Sequence, residues 1–288
     1  MIKIVQSILT ILIVLNLYTC ANVAQLLNTM QVKEPTARVT GAKIAGVTFN
    51  DIDMVFDLEI ENPNNIGVKM AGFDYKIEVN NNAFIQGDQQ STLEIAKNGK
   101  SSLPIPVKIV FTDLYNLFAG MKNQDTTTYQ LSCGLTFNLP VLGNVRVPVT
   151  HNGSLPLIKM PSISLNNIQV NNIGISGADL SLNLKIKNPN SLLLNLNNLN
   201  YNLDVSGYNW VRGTSNVLNQ VSPKGESILK IPVSLNFAEM GLNLFSLLTG
   251  SSNLDYRFTG DLDVGTSWDL LKDVRLSLDE SGKVPLLK

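Results

Sequence analysis

The chain has 288 residues, of which 16% are charged, and its formal net charge is -1. So low a charge provides no basic field for a nucleic acid, and we expect no nucleic-acid partner. The length fits two domains of about 125 residues, each large enough to bury an ordinary core without a metal or a disulfide.

The N-terminal residues have the pattern of an export signal. Lys3 supplies a small positive region, residues 4–17 form an apolar stretch, and Cys20 follows it. This pattern resembles a bacterial lipoprotein signal, whose cleavage leaves the cysteine first and attaches lipid to its sulfur. The resemblance implies a signal peptide over residues 1–19, a lipid on Cys20 and a tether over residues 20–34.

A signal anchor and an ordinary signal peptide stay open as alternatives for this segment. The apolar stretch is shorter than the ~20 residues that a spanning helix needs, and Asn16 interrupts it, which disfavours the anchor. Ala21 follows the cysteine, and by resemblance to sorted lipoproteins this favours the outer membrane. We therefore expect an exported protein of the bacterial envelope, with the membrane as its partner through the lipid.

From residue 35 the chain repeats itself with a displacement of 126 positions. Prolines, tyrosines, glycines and a phenylalanine recur in unchanged order, namely Pro35 with Pro161, Tyr75 with Tyr201, Gly99 with Gly225, and Phe111 with Phe237. The register then slips by one residue to pair Tyr129 with Tyr256. A repeat this long is a duplicated folding unit and not a solenoid. We predict one domain over residues 35–160 and a second over residues 161–288.

Within each copy, apolar residues alternate with polar ones over several short stretches. Residues 51–61 alternate in the first copy and residues 179–187 in the second, which places Phe56 and Leu182 on matched inward faces. A period of two residues is typical of a half-buried strand. Asn-Gly and other turn-forming pairs separate the stretches. The sequence predicts roughly seven strands per copy, forming an antiparallel sandwich of two sheets.

One segment of each copy is predicted to be helical. We expect Asp113 to cap a short helix that carries Leu114, Leu117 and Phe118. The second copy places Met240, Leu244, Leu247 and Leu248 ahead of Gly250. The expected fold class is therefore all-β, with one short helix per domain.

The triplet Asn-Pro-Asn ends the most regular strand of each copy. Proline cannot donate to a ladder, and Asn side chains bond nearby backbone groups. We interpret the triplets as structural motifs that terminate strand pairing, with a ligand site as the alternative. The residues are Asn62, Pro63 and Asn64 in the first copy and Asn188, Pro189 and Asn190 in the second.

Several motifs occur in a fixed order in the first copy. An alternating strand ends in Asn-Pro-Asn. It is followed by a tyrosine, the segment from Gly99 to Val107, a Pro-Val-Leu-Gly segment and residues 147–157. Together they resemble a group 2 late embryogenesis abundant domain, also called the water-stress and hypersensitive-response domain. The second copy lacks the Pro-Val-Leu-Gly segment. The resemblance implies tandem fibronectin-type-III-like sandwiches and a stress or desiccation role, with no catalytic activity or ligand.

The residues offer little for an enzyme. His151 is the only histidine, and no Gly-x-Ser-x-Gly, Walker or His-Glu-x-x-His motif occurs. We interpret His151 as a structural residue, and a hydrolase centred on it is the weakest alternative. Cys133 shares the parity of apolar neighbours, so we expect a core residue without a disulfide.

Three carboxylates could attract a calcium ion. Asp57, Glu59 and Glu61 lie two residues apart on the outward face of a predicted strand. A flat strand does not wrap a cation as a loop does, so we expect a solvated face. No metal and no cofactor are predicted.

Two functions from different classes remain. The first is a lipid-anchored, non-enzymatic envelope protein with a binding or protective role in stress or desiccation. The alternative is a structural subunit of an envelope assembly, which would recruit a partner chain through exposed sheet edges or apolar patches.

Overall fold

The computed structural model describes residues 32–140, 142–240 and 242–288. The predicted signal peptide and Cys20 lie outside these residues. No helix of the described ranges is long and apolar enough to cross a membrane.

The first sequence copy forms two sheets. Its strands are β1 (Thr36–Val47), β2 (Asp51–Glu61), β3 (Val68–Val79), β4 (Asn82–Gln89), β5 (Leu93–Ile95), β6 (Lys100–Val110), β7 (Thr126–Leu139) and β8 (Gly143–Pro156). One sheet has the order β1-β2-β6, and the other has the order β4-β3-β7-β8, with β5 paired to β3. Helix α1 (Phe111–Leu117) and a 3-10 helix (Ala119–Asn123) connect β6 to β7.

Among the described residues, the second copy repeats this order of strands without a separate strand in the place of β5. They are β9 (Ser162–Ile173), β10 (Gly177–Lys187), β11 (Leu194–Val205), β12 (Tyr208–Val221), β13 (Glu226–Asn236), β14 (Asn253–Thr266) and β15 (Val274–Leu287). Helices α2 (Phe237–Met240) and α3 (Leu242–Gly250) lie between β13 and β14, and a 3-10 helix (Asp269–Leu271) precedes β15. The strand order is β12-β11-β14-β15-β9-β10-β13. The two sheets of this copy are joined where the end of β15 runs parallel to β9, with Leu286 opposite Ile168.

The apolar residues that alternate with polar ones in the sequence form the buried cores. In β2 every second residue from Ile52 to Ile60 is buried, and Phe56 is only 1% exposed. Leu182 occupies the matching position of β10 and is fully buried. Inward side chains of this size each stabilise a fold by about 1.5–3 kcal/mol when they leave water. The prediction of an all-β sandwich in two copies is confirmed.

The chain divides into two compact units whose bounds differ from those of the sequence copies. Of the described residues, the first unit takes those up to Lys43, Val55–Pro106 and Thr128–Leu155. The second unit takes Ile44–Met54, Val107–Thr127 and Pro156–Lys288. Three segments of the first sequence copy, residues 44–54, 107–127 and 156–160, thus belong to the second unit. The domain boundary at residues 160 and 161 stays a prediction.

The start of helix α1 differs from the expectation. The helix begins at Phe111, and its N-cap residue is Val110, which makes no side-chain cap. The prediction that Asp113 caps it is wrong, since Asp113 lies in the first turn. Phe111 is buried, and its N–H donates to the carbonyl oxygen of Asn50 at 2.8 Å. These contacts hold the first residue of the helix two positions before Asp113. Of the apolar residues predicted on this helix, Leu114 is buried and Leu117 is 62% exposed.

Tyrosines face glycines across neighbouring strands in both copies. A Cβ atom on Gly153 would lie 2.5 Å from the hydroxyl oxygen of Tyr129, and one on Gly213 would lie 2.9 Å from that of Tyr201. The bare glycine therefore leaves room for the aromatic ring to lie over the neighbouring strand. Tyr75 lies over Gly87 in the same way.

Candidate functional site

In the first copy, Asn62 and Asn64 form a network of hydrogen bonds at the end of β2. The side-chain amide nitrogen of Asn62 donates to the carbonyl oxygens of Ile66 at 2.7 Å and Ala96 at 3.0 Å, and its oxygen accepts the N–H of Asn64 at 3.0 Å. Asn64 then binds the backbone of Lys33 twice, accepting its N–H at 2.7 Å and donating to its carbonyl oxygen at 2.8 Å. We call this network the first clamp, because it ties the chain that enters β1 to the end of β2.

The second copy contains the same network, which we call the second clamp. Asn188 donates to Leu192 at 2.7 Å and to Ser222 at 3.1 Å, and accepts the N–H of Asn190 at 2.9 Å. Asn190 binds the N–H and the carbonyl oxygen of Lys159 at 2.8 and 2.7 Å. Both asparagines are buried. The clamp amides are therefore directed at the protein's own backbone.

A carboxylate adds charge to the second clamp, within the second compact unit. Oδ1 of Asp125 pairs with Nζ of Lys159 at 3.1 Å and with Nζ of Lys224, and Oδ2 accepts from the hydroxyl of Ser191 at 2.6 Å. Nζ of Lys224 also donates to the carbonyl oxygen of Pro189 at 2.9 Å. The hydrogen bonds from Lys224, then Ser191 and Lys159, hold the pKa of Asp125 well below its usual range.

A cleft of about 470 Å³ opens beside Asp125 in the same compact unit. Its apolar walls are Ile44, Pro156, Leu157, Ile158, Leu192 and Trp268. Asp125, Asn190 and Ser191 contribute polar groups to it. A volume of this size lies within the range of small-molecule sites, and a mostly apolar lining with few polar groups is typical of them.

Comparison with known proteins identifies the family. A family model described as late embryogenesis abundant protein matches residues 57–153 and 183–282, which is most of each copy. The chain belongs to the late embryogenesis abundant protein family. The resemblance seen in the sequence is thereby confirmed, and this late embryogenesis abundant protein carries the domain twice.

Curated relatives align with less than half of the chain. A desiccation-related protein of Arabidopsis thaliana is 27% identical over 129 residues, covering 45% of this chain and 76% of the relative. A desiccation-related protein of Craterostigma plantagineum is 24% identical over 133 residues, covering 46% and 86%. A solution structure from Arabidopsis thaliana is 21% identical, with a TM-score of 0.37, and covers 44% of this chain and 83% of its own.

In this late embryogenesis abundant protein, His151 lies among aromatic rings. Its ring centroid is 6.2 Å from that of Phe56 and 6.2 Å from that of Tyr129. Among the described residues, the imidazole has no hydrogen bond to a serine or an aspartate. The geometry is that of a packed, half-buried side chain and does not assemble a triad.

The carboxylates of β2 are engaged with cations of the protein itself. The ion pairs are Asp57 with Lys43 at 3.2 Å, Glu59 with Arg38 at 2.9 Å and Lys100 at 3.1 Å, and Glu61 with Lys100 at 3.4 Å. In the ranges that the structure describes, no three potential ligands are grouped so as to hold a metal ion.

Cys133 is buried in β7. Burial, with the neighbouring charge of Asp74, raises the pKa of its thiol to about 11. The thiol is therefore protonated at neutral pH, and a protonated, buried thiol is a poor nucleophile.

Two features of the clamps were missed in the sequence. Lys33 and Lys159 are separated by the repeat distance of 126, so extending the alignment two residues before Pro35 would have found them. Asp125 has no such signal, because serines stand at the positions 126 and 127 residues later. Only the folded chain brings Asp125 to Lys224.

Proposed function

We propose that this chain is a non-enzymatic protein that protects other macromolecules during drying or a related stress, and that a lipid on Cys20 holds it at an exported membrane surface. The family match in both copies carries the proposal, together with relatives that are named as desiccation-related.

The surface chemistry supports a role without catalysis. Charged side chains on β14 and β15 neutralise one another across the strands, as in Arg257 with Asp279 at 2.8 Å and Arg275 with Asp263 at 2.9 Å. Exposed amides such as that of Asn216 add neutral polar groups to the surface of the same copy. Neutral groups of this kind form hydrogen bonds that depend little on salt, which is useful when solutes concentrate on drying.

The clamps support a fold that survives with little water. Asn62, Asn64, Asn188 and Asn190 are at most 5% exposed. Their partners are backbone groups and one another, so these buried amides need no bridging water. A protective protein has to keep its own structure under the conditions in which it acts.

The anchor explains where the protein would act. Lys3, the short apolar stretch and Cys20 support a lipid-anchored N-terminus. Lys33 is held by the first clamp, so the segment from Cys20 to Lys33 reaches on the order of 45 Å when extended. Both copies would thus work close to a bilayer without entering it.

A drying experiment tests the protective role. The full chain is air-dried with lactate dehydrogenase and, separately, with phosphatidylcholine vesicles that contain a self-quenching dye. After rehydration we expect more enzyme activity and less dye leakage than with an equal mass of serum albumin. Equal recovery in both assays would remove the proposal.

A structural subunit of an envelope assembly is the second candidate. Ile175 is fully exposed at the turn between β9 and β10, whereas its counterpart in the first copy, Phe49, is buried. An exposed apolar turn of this kind favours contact with a partner chain. If this candidate holds, Ile175→Ser should reduce the size of the complex extracted from membranes, and Leu117→Ser, at another exposed apolar residue, should not. Extraction of the wild-type chain as a monomer would dismiss it.

A further inference from the structure

A second cavity of the second compact unit is lined by side-chain amides. It has a volume of about 740 Å³ and lies where β11, β12 and the end of β14 meet. Its polar lining includes Asn195, Asn197, Asn219, Gln220, Lys272 and Asp273. We call it the amide groove. The volume is within the range of small-molecule sites.

The groove opens at an irregularity of β11. Leu196 pairs with Asn219 of β12 and with Val264 of β14, and both ladders shift immediately afterwards. Asn197 therefore has no opposite residue in the ladder with β14. A bulge re-aims the side chain that it carries, and bulges occur often beside binding sites.

The amides of the groove keep hydrogen-bonding capacity. Gln220 donates its side-chain N–H to Oδ1 of Asn195 at 3.0 Å. This bond leaves the amide hydrogens of Asn195 and the side-chain oxygen of Gln220 without a partner among the described residues. The side chain of Asn197 also makes no hydrogen bond within these residues. Free donors and free acceptors thus stand side by side in one groove.

The first copy has the same bulge without an amide side chain on it. The pairing of β3 with β7 shifts between Met70 and Gly72, so the same irregularity is present there. The residue at the bulge is Ala71, which is 126 positions before Asn197. The sandwich therefore requires the bulge in both copies but not an asparagine on it. A structural need of the fold does not account for Asn197.

The charges around the groove disfavour an anionic ligand. The lining holds one lysine and one aspartate, and Nζ of Lys272 already pairs with Asp269 at 2.8 Å. Neighbouring hydroxyls of a sugar ring each donate and accept, and a planar amide offers one group of each kind. We propose that the amide groove binds a neutral oligosaccharide. Neither drying nor lipid enters this inference, so it stands apart from the proposed function.

Calorimetric titration of the full chain tests the proposal. The probes are maltohexaose and chitohexaose, both neutral, and oligogalacturonate as a charged hexasaccharide, in a detergent without a sugar headgroup. We expect saturable one-site binding of at least one neutral probe. Asn197→Ala, which installs the residue of the first copy, should weaken it by about tenfold or more.

Two further variants make the result specific. Asn195→Ala should weaken binding as Asn197→Ala does, while Ala71→Asn should leave it unchanged. All three should keep the unfolding temperature of the wild type, since no core side chain is altered. The proposal is overturned by absence of saturable binding to both neutral probes, by unchanged affinity in both asparagine variants, or by tighter, salt-sensitive binding of oligogalacturonate.

Discussion

Asn190 binds both backbone groups of Lys159, accepting its N–H at 2.8 Å and donating to its carbonyl oxygen at 2.7 Å. One side chain thus fixes the chain just before the second copy begins. Asn64 does the same for Lys33 in the first copy.

We predict that Asn190→Asp destabilises the fold by about 1–3 kcal/mol, because a carboxylate cannot donate to the carbonyl oxygen of Lys159. Asn64→Asp should cost a similar amount. Urea unfolding of the full chain measures both. Asn216→Ala, at an exposed asparagine, should change stability by under about 0.5 kcal/mol. Equal effects at all three positions would show that the clamps add nothing specific.

The predicted domain boundary can be tested with fragments. We expect residues 35–160 and residues 161–288 each to unfold cooperatively. A fragment of residues 156–288 should be more stable than one of residues 161–288 by about 1–3 kcal/mol, because only the longer one retains Lys159 for Asn190. Thermal unfolding followed by circular dichroism measures this. Loss of cooperativity in both halves would place the boundary elsewhere.

Gly153→Ala should destabilise the fold by about 1–3 kcal/mol, because the new methyl group would lie 2.5 Å from the hydroxyl oxygen of Tyr129. Gly120→Ala is the matched control, since a Cβ there meets no atom within 4 Å. Chemical unfolding compares the two. If the Gly153 variant is as stable as the control, the tyrosine ring moves aside freely.

Asp125 is expected to make stability depend on pH. Hydrogen bonds from Lys224, Ser191 and Lys159 lower the pKa of Asp125 in the folded protein. Its ionised carboxylate therefore adds to the free energy of unfolding above the pKa of the unfolded chain, and this contribution is lost as pH falls towards the lower pKa of the folded protein. The stability difference between wild type and Asp125→Asn should therefore be largest near pH 7 and should shrink below about pH 4.

Urea unfolding at several pH values measures this difference. Asp255→Asn serves as the control, because its exposed carboxylate has no ion pair among the described residues. If wild type and Asp125→Asn differ in free energy of unfolding by the same amount at pH 7 and at pH 3, the ion pairs of Asp125 do not contribute to stability.

Cys20→Ser should leave an unprocessed precursor and abolish labelling with radioactive palmitate, because the thiol is the proposed site of the lipid. The substitution lies outside the sandwiches, so circular dichroism of the two proteins should agree. Cys133→Ser is the control for labelling, since that thiol is buried. An intact mass with Met1 retained and no lipid would end the lipoprotein proposal.

The sequence predicts best what depends on neighbouring residues. Alternation is a local property of a strand, so it predicts that Phe56 and Leu182 face inward, and both are buried. Asp125 meets partners that are 34, 66 and 99 positions away, and no local pattern reports such contacts. Asn197 stands within an asparagine-rich run that indicates only a solvated strand. Its position at a bulge follows from the shift in the ladder between β11 and β14, which only the folded sheet displays.

The first clamp also determines how the fold would carry mechanical load. A pull on the proposed anchor at Cys20 would be transmitted to Lys33, three residues before β1 begins at Thr36. β1 is an edge strand, so force applied to its first residue would peel it from β2 one bond at a time. The two bonds from Lys33 to Asn64 instead share the force and deliver it to the end of β2, inside the sheet. In a protein tethered to a moving membrane, the first clamp would thus protect the edge strand β1 from being pulled away from β2.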